Sequence, residues 1–281
     1  MRRAIFKILR SSGLPYLFRE LVQRNKVTIV ILHDISVEAA RQAFRFWKEH
    51  YNPVSFRDYL DARNNTKKLP PKSLIVTFDD GHKNNYSLLP LINEFEIPVT
   101  FFLCSGIVGT NRHFWFLEDS LETDELKKLP DGERISLQEK NNFFQEKEYH
   151  LRQALSDKEI EEMKDSPLID IQGHTISHPI LTQCSDSKAF DEISDSKKTL
   201  EKKFDLDVMG FAYPAGYYGN REIEMVKKAG CLYAVTADPG FNTLQTDIYK
   251  LKRLSVNDSG NIDEIIVKTS GMWGMVKKLF H

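Results

Sequence analysis

Short apolar runs alternate with helix-patterned segments along most of the chain. Runs rich in apolar and β-branched residues predict buried strands, and segments with apolar residues at helical spacing predict helices. The predicted strands cover 26–32, 73–78, 98–103, 168–173, 208–214, 232–237 and 248–254, and the predicted helices cover 38–50, 86–95, 188–204 and 221–230. Such alternation is typical of parallel βα units, which assemble into a barrel or a doubly wound sheet.

One segment breaks this alternation between two of the predicted strands. From 118 to 165, 23 of 48 positions are charged, and helical patterns replace strand patterns. This composition favours a solvated helical insertion, which we place at about 110–165 and interpret as a lid or a flank of the sheet.

Composition narrows the range of functions. A chain of 281 residues with 41% hydrophobic residues can form one large α/β domain or two small ones. The net charge of −1 provides no global field for nucleic acid, so we expect no nucleic-acid partner. Cys104, Cys184 and Cys231 lie far apart without CxxC spacing, which favours neither a disulfide scaffold nor a thiolate zinc site. Nothing in the pattern indicates an oligomeric state.

Both chain ends combine basic and apolar residues. The first 26 residues include seven basic residues and one acid, and Lys7, Arg10 and Pro15 interrupt every apolar run that a signal peptide would need. No run approaches the roughly 20 apolar residues of a membrane-spanning helix. The C-terminal stretch GMWGMVKKLFH also sets large apolar residues beside two lysines. Two interpretations stay open for these ends: peripheral contact with an anionic membrane, or packing on the domain. We expect a cytoplasmic protein, located at the inner membrane face under the first interpretation.

The predicted strand 73–78 ends in two adjacent carboxylates and a glycine, Asp79, Asp80 and Gly81. Asp-Asp-Gly is ordinary turn chemistry. Adjacent carboxylates also raise one another's proton affinity unless a cation separates them. The same residues therefore suit a site where one carboxylate holds a metal and the other handles protons. The stretch alone leaves both interpretations open.

Two histidines, His174 and His178, follow the predicted strand 168–173. Their i, i+4 spacing predicts that both imidazoles lie on one face of a helical turn and reach one cation. The C-terminal ends of parallel strands carry the chemistry of α/β sheets and barrels, so we expect these histidines near Asp79 and Asp80. One carboxylate with two imidazoles leaves coordination positions open, as in a catalytic zinc site.

Three motifs, TFDDG, HTISH and FAYPAG, resemble those of the polysaccharide deacetylases, the NodB-like family 4 carbohydrate esterases that remove N-acetyl groups from amino sugars. The resemblance runs from about residue 27 to about 257 and implies a distorted (β/α)7-type barrel, so we place the deacetylase domain at 27–260. The basic amphipathic segment at 1–26 and the amphipathic tail at 261–281 flank this domain. The resemblance also implies that Asp79 is the general base. It implies further that Asp80, His174 and His178 hold a divalent metal, either zinc or else cobalt or another divalent ion.

The mechanism implied by this resemblance uses the metal to polarise an acetamide carbonyl and its bound water, while Asp79 takes the proton of that water. The family's Pro-x-Gly turn is kept at Pro214, Ala215 and Gly216, and the Ala215 N–H is expected to stabilise the oxyanion. The tyrosine before this turn, Tyr213, forms either a sugar platform with its neighbours Tyr217 and Tyr218 or ordinary loop packing.

An arginine that the family often carries in its third motif is missing here, because Ala212 and Tyr213 precede the proline. Arg253, in the stretch LKRLSV, is our candidate for the positive charge that balances the base. The family's C-terminal leucine-x-histidine motif is also missing. His33, at the end of the first predicted strand, is the candidate acid, as in the permuted deacetylases of exopolysaccharide synthesis. Asp34 is expected to orient its ring.

The function expected from these residues is metal-dependent N-deacetylation of an amino sugar in a polysaccharide, oligosaccharide or lipid-linked glycan. The expected partner is therefore a carbohydrate that bears N-acetyl groups. Hydrolysis of another amide or an ester on the same barrel is the first alternative, since fold and metal do not determine the leaving group. A non-catalytic carbohydrate-binding relative is the second.

Overall fold

The computed structural model describes residues 2–118, 122–256, 258 and 260–274. Within these ranges the strands are β1 (Val27–Leu32), β2 (Asn52–Pro53), β3 (Ser73–Phe78), β4 (Val99–Leu103), β5 (Ile169–Gly173), β6 (Gly210–Ala212), β7 (Tyr233–Val235) and β8 (Leu254–Ser255). The α-helices in the same ranges are α1 (Arg2–Ser11), α2 (Leu14–Leu17), α3 (Val37–His50), α4 (Phe56–Arg63), α5 (Leu89–Phe95), α6 (Thr123–Leu126), α7 (Asp131–Lys140), α8 (Asp157–Lys164), α9 (Asp186–Phe204), α10 (Asn220–Lys228) and α11 (Ile262–Thr269). Shorter helical turns occupy Phe18–Val22 (π) and Lys83–Leu88, Trp115–Leu117, Leu181–Gln183 and Pro214–Gly216 (3₁₀).

The strands form one parallel sheet that curls on itself. Its order is β7-β6-β5-β4-β3-β1-β8, with β2 paired to β3 beside this path. Leu251, just before β8, forms a parallel bridge with Val235 of β7, so the two ends of the path approach each other. This confirms the predicted distorted (β/α) barrel.

The sheet is covered on both faces, which explains its continuous apolar strands. Every residue of β1 and β3 is buried, as expected for parallel strands between layers. Alternate residues point inward, where Ile29, Ile75, Phe102, Val235 and Leu251 belong to one buried cluster. The barrel interior is therefore packed with side chains, and chemistry is left to the strand ends.

Several helices start where the sequence offers an N-cap. At the start of α3, α4, α8 and α9, the side-chain oxygen of a serine accepts a hydrogen bond from a backbone N–H of the first turn. These N-cap serines are Ser36, Ser55, Ser156 and Ser185, in that order. Serine at this position satisfies one of the free N–H groups of the first turn.

Some predicted boundaries differ from the structure. The predicted strand 208–214 is reduced to the three residues of β6. The predicted strand 248–254 is wrong, because residues 248–250 form a turn and β8 begins only after Arg253. The local apolar pattern does not distinguish a strand from a turn that is buried against a neighbouring strand.

Between β4 and β5 the chain leaves the sheet and forms α6, α7 and α8. Trp115 is fully buried there and packs with Leu126, Phe143 and Ile180. This segment therefore packs around a small apolar cluster to which Ile180, after β5, also contributes. The domain boundaries suggested by the sequence remain a prediction.

The N-terminal helix α1 packs on α11 and the residues after it. The rings of Phe6 and Trp273 lie 4.7 Å apart, and Phe6 and Met272 are buried. The rest of the predicted C-terminal amphipathic stretch, 275–281, lies outside the described residues. In the described part of the chain, no helix has the length and apolar character needed to cross a membrane.

Candidate metal and active site

The C-terminal ends of the parallel strands meet at one cleft. His33 follows β1, Asp79 and Asp80 follow β3, and His174 follows β5. These side chains line a cavity of about 980 Å³, together with His178, Ala215, Gly216 and Arg253. The structure thus brings together the predicted site residues except Tyr213 and Pro214.

Asp80, His174 and His178 form a compact group of metal-binding atoms. One ligand atom from each lies within 4.8 Å of the others, and all three residues are buried. Asp80 Oδ1 lies 3.3 Å from His174 Nε2 and 3.5 Å from His178 Nε2. This buried oxygen has no hydrogen-bond partner among the described residues. A buried carboxylate oxygen without a partner is costly, so the arrangement fits a cation.

The pKa shifts of Asp80 and His178 also suit a metal. Burial alone would raise the pKa of Asp80, but the adjacent His174 and His82 imidazoles hold it well below its usual range. His174 Nδ1 lies 2.8 Å from the Ala212 carbonyl oxygen, which can only accept, so Nδ1 carries the proton and Nε2 faces Asp80. Burial lowers the pKa of His178 to about 3, which keeps this imidazole in the neutral, metal-binding form.

The two histidines do not lie on a helical turn, so that prediction is wrong. Residues 174–178 form an irregular loop, in which Thr175 and His178 have φ values of 67° and 58°. Asp80 also has a positive φ, 73°. Such left-handed backbone is uncommon for these residues and persists where surrounding contacts hold it.

Two residues that the sequence did not reveal hold this loop. Glu192 of α9 accepts hydrogen bonds from Ile176 N at 2.8 Å, Ser177 N at 2.9 Å and Ser177 Oγ at 2.7 Å. Trp115 Nε1 donates to the His178 carbonyl oxygen at 2.8 Å. The sequence offered one indication of this role for Glu192: a carboxylate on the apolar face of the predicted helix 188–204, where a charged residue is buried only if it has a partner.

Asp79 is paired with Arg253. Arg253 Nη1 and Nη2 donate to Asp79 Oδ1 and Oδ2, each at 2.7 Å, and both side chains are buried. Arg253 Nε also donates to the Thr236 carbonyl oxygen at 2.8 Å. Burial alone would raise the pKa of Asp79, but the guanidinium keeps it below the usual value. Asp79 is therefore an ionised, fixed carboxylate beside the metal-binding group.

His33 lies at the open side of the cavity, and the carboxylate beside its ring is Asp258 rather than Asp34. Its Nδ1 lies 3.8 Å from Asp258 Oδ2. Asp34 instead accepts a hydrogen bond from Asn84 at 3.3 Å, so its expected orienting role is wrong. Asn85 donates to the His33 carbonyl oxygen at 2.8 Å, which holds the backbone.

The turn after β6 contributes backbone rather than aromatic rings. Ala215 and Gly216 line the cavity, and Ala215 has a φ of 52°. Tyr213 is fully buried, and its ring stacks on Tyr218 at 4.9 Å. Pro214 is also buried. The structure therefore contradicts a sugar platform formed by Tyr213, because strand alternation sets this ring on the outer face of β6 with Phe211.

Two further side chains complete the cavity near the metal-binding group. His82 lines the cavity, and its Nε2 lies 3.2 Å from Asp80 Oδ2. Phe116 lines the cavity with its ring 4.5 Å from that of His178. Both contacts join residues that the sequence pattern did not connect.

The outer lining of the cavity is acidic. Its acidic residues beyond the Asp79–Asp80 pair are Asp34, Glu118, Glu122, Asp124 and Asp258. The one lysine of this lining, Lys127, forms an ion pair with Asp124 at 3.2 Å. The cavity therefore repels anions and accommodates neutral or cationic groups.

Comparison with known proteins identifies related sequences and structures. A family model described as polysaccharide deacetylase matches residues 66–234. The poly-beta-1,6-N-acetyl-D-glucosamine N-deacetylase of Staphylococcus epidermidis is 24% identical over 200 residues, which cover 68% of this chain and 57% of that protein. The chain spans about half the length of the curated relatives it matches.

Two solved structures share the fold. The Streptococcus pyogenes deacetylase PplD, solved with acetate, has a TM-score of 0.65 at 18% identity, covering 88% of this chain and 99% of that one. IcaB from Ammonifex degensii has a TM-score of 0.65 at 17% identity, covering 88% of this chain and 98% of that one. At these identities the likeness concerns the fold alone.

Proposed function

The chain belongs to the polysaccharide deacetylase family, and on that premise we propose that it is a metal-dependent hydrolase that removes N-acetyl groups from an amino sugar of a glycan. The observation that carries this proposal is the buried group of Asp80, His174 and His178 beside the Asp79–Arg253 pair in one cavity. Such a site would combine a metal with a separate ionised base, an arrangement suited to hydrolysis of an amide.

Asp80, His174 and His178 are proposed to hold the metal, with zinc as the first candidate and cobalt or another divalent ion as alternatives. A bound divalent ion supplies a Lewis acid for the acetamide carbonyl. His82, at 3.2 Å from Asp80 Oδ2, would fix the orientation of this carboxylate.

Asp79 is proposed to accept the proton of the attacking water. Arg253 occupies one lone pair on each carboxylate oxygen, so further lone pairs remain for a water molecule. The same ion pair keeps Asp79 ionised, and a base must be ionised to accept a proton.

His33 is proposed to protonate the departing amine, with Asp258 orienting its ring at 3.8 Å. The N–H of Ala215 is proposed to donate to the oxygen that becomes negative during attack. Support for both roles comes from their position on the same cavity as Asp79.

The proposed substrate is a neutral glycan that contains N-acetylglucosamine. The relative from Staphylococcus epidermidis is named for poly-beta-1,6-N-acetyl-D-glucosamine, which makes this polymer the first one to test. The acidic lining supports a neutral chain, and it also tolerates the cationic amine that deacetylation produces. A lipid-linked glycan with the same sugar is included in the proposal. The compartment remains the cytoplasmic prediction made from the sequence.

The test uses the full chain loaded with zinc or cobalt and incubated with β-1,6-linked and β-1,4-linked N-acetylglucosamine oligomers. Mass spectrometry should detect loss of acetyl groups, and Asp79→Asn protein should lose almost all of this activity. Absence of acetyl loss from every oligomer with metal-saturated protein would overturn the proposal. Turnover of an aryl acetate ester without any amide hydrolysis would favour the esterase alternative, and glycan binding without turnover would favour a carbohydrate-binding role.

A further inference from the structure

A row of large aliphatic side chains is exposed along the N-terminal segment. Ile5 and Ile8 of α1 are 42% and 69% exposed, and Leu14, Leu17 and Leu21 are 43%, 47% and 76% exposed. The three leucines are spaced i, i+3 and i+7, so they lie on one side of the helical turns that follow α1. We call these five residues the N-terminal apolar face.

The opposite side of this segment is fixed on the domain. Phe6 is fully buried against Trp273, and Pro15 is buried. Gln23 donates to Thr28 Oγ1 at 2.8 Å and to the Thr269 carbonyl oxygen at 2.9 Å. The N-terminal apolar face therefore does not take part in packing the segment on the domain. Exposed aliphatic residues grouped in this way are a feature of interaction surfaces.

The charge around this face is strongly positive. The first 26 residues carry seven basic residues and one acid, whereas the remaining 255 carry 32 basic and 39 acidic residues. The one acid, Glu20, is already paired with Arg19 at 3.0 Å and Lys72 at 3.2 Å. Arg3 and Lys7 have no ion pair among the described residues. A second copy of the chain would bring this positive charge against itself, so charge complementarity favours an anionic partner.

A small cavity of about 230 Å³ lies on the side of the segment that faces the domain. Arg10, Tyr16, Arg19 and Tyr51 are among its lining residues. The Arg19 guanidinium lies over the rings of Tyr16 and Tyr51, at 5.2 Å and 5.9 Å from their centroids. Its Nε donates to Glu20, while Nη1 and Nη2 have no partner within the described ranges. Arg19 therefore adds positive charge to the segment from the side that faces the domain.

We propose that the N-terminal apolar face docks on an anionic lipid bilayer. The exposed isoleucines and leucines enter the boundary between headgroups and acyl chains, and Arg3 and Lys7 contact the headgroup region. Each basic residue near such a surface increases partitioning by a factor of about five. This inference stands independently of the proposed enzymatic activity, since none of these residues lines the catalytic cavity.

The test is flotation of the full chain with phosphatidylcholine vesicles that contain or lack phosphatidylglycerol, at low and at high salt. The Leu17→Ser/Leu21→Ser variant should bind anionic vesicles on the order of tenfold or more weakly, because two apolar anchors are lost. Leu151→Ser is the matched control, since Leu151 is 72% exposed elsewhere on the protein. Both variants should unfold at the wild-type temperature, as expected for surface substitutions.

A charge variant separates the electrostatic part of the proposal. Lys7→Gln should weaken binding to phosphatidylglycerol vesicles about fivefold at low salt, with a smaller effect at high salt, where screening is strong. Absence of wild-type flotation with anionic vesicles at low salt would overturn the proposal. Equal binding by Leu151→Ser and Leu17→Ser/Leu21→Ser would also overturn it. So would a wild-type dimer in sedimentation that the double variant abolishes without any lipid binding, because the face would then join two copies.

Discussion

Replacing Arg253 by methionine tests the ion pair on which the proposed base depends. The two side chains are joined by two hydrogen bonds of 2.7 Å, and only 1% of Arg253 and 4% of Asp79 is exposed. The variant leaves the Asp79 carboxylate buried without its cation. Removing one partner of a buried ion pair costs about 3–5 kcal/mol of unfolding free energy. For a chain somewhat larger than 250 residues, this corresponds to a fall in melting temperature on the order of 10 °C.

Turnover should fall as well, because Asp79 loses both its fixed orientation and the charge that keeps it ionised. We expect a loss of about 100-fold in deacetylation of N-acetylglucosamine oligomers, at the lower limit of what a positioned base contributes. The assay combines denaturant unfolding of metal-saturated protein, followed by tryptophan fluorescence, with measurement of released acetate.

Two controls make this prediction specific. The Asp79→Asn/Arg253→Met variant removes both charges and should be more stable than Arg253→Met alone, since no unpaired charge remains buried. Lys250→Met removes an exposed ion pair with Asp247 at 3.9 Å and should cost less than about 1 kcal/mol. If Arg253→Met unfolds at the wild-type denaturant concentration and keeps wild-type turnover, the reasoning about this pair is refuted.

Three further predictions concern the same cavity. Asp79→Asn should retain wild-type metal content while turnover falls about 10²–10⁴-fold, whereas Asp80→Ala should lose both metal and turnover. Elemental analysis and an acetate assay measure both properties, and an active Asp79→Asn protein would contradict the base assignment. His33→Ala should slow hydrolysis of an amide more than of an activated ester, because a good leaving group needs little protonation; steady-state rates on both substrates measure this, and equal losses count against His33 as the acid. Glu192→Ala should weaken metal binding about 10–100-fold, because the loop that carries His178 loses its hydrogen bonds to this carboxylate. A chelator competition assay measures the affinity, and an unchanged value would show that the loop is held without Glu192.

Much of the fold could be predicted from the local pattern. The strand predicted at 73–78 coincides with β3, and the helix predicted at 38–50 differs from α3 by one residue. These elements are readable because parallel strands buried on both faces require continuous apolar runs, and helices on the outside require apolar residues at helical spacing. The same logic sets Asp79, Asp80 and His174 at one edge of the barrel, since every strand pairing in the sheet is parallel.

The contacts that make these residues a site depend on the closed barrel. Arg253 and Asp79 are 174 positions apart, and they meet because β8 pairs with β1, next to β3. Asp258 rather than Asp34 lies beside the His33 ring for the same reason, because the chain after β8 passes next to the end of β1. The local sequence pattern does not determine which strands pair with each other in the sheet.

Side-chain direction and irregular backbone were also decided by the tertiary structure. Tyr213 faces the helices instead of the cleft, because it directly follows β6 and continues the alternation that puts Phe211 on the outward side. The loop of His178 takes a left-handed backbone that a spacing rule for helices cannot predict, since Glu192 and Trp115 hold it from other elements. The residue types of the proposed site are thus a property of the sequence. Their geometry follows from closure of the barrel, which brings distant segments within hydrogen-bond distance and buries the charges that they share.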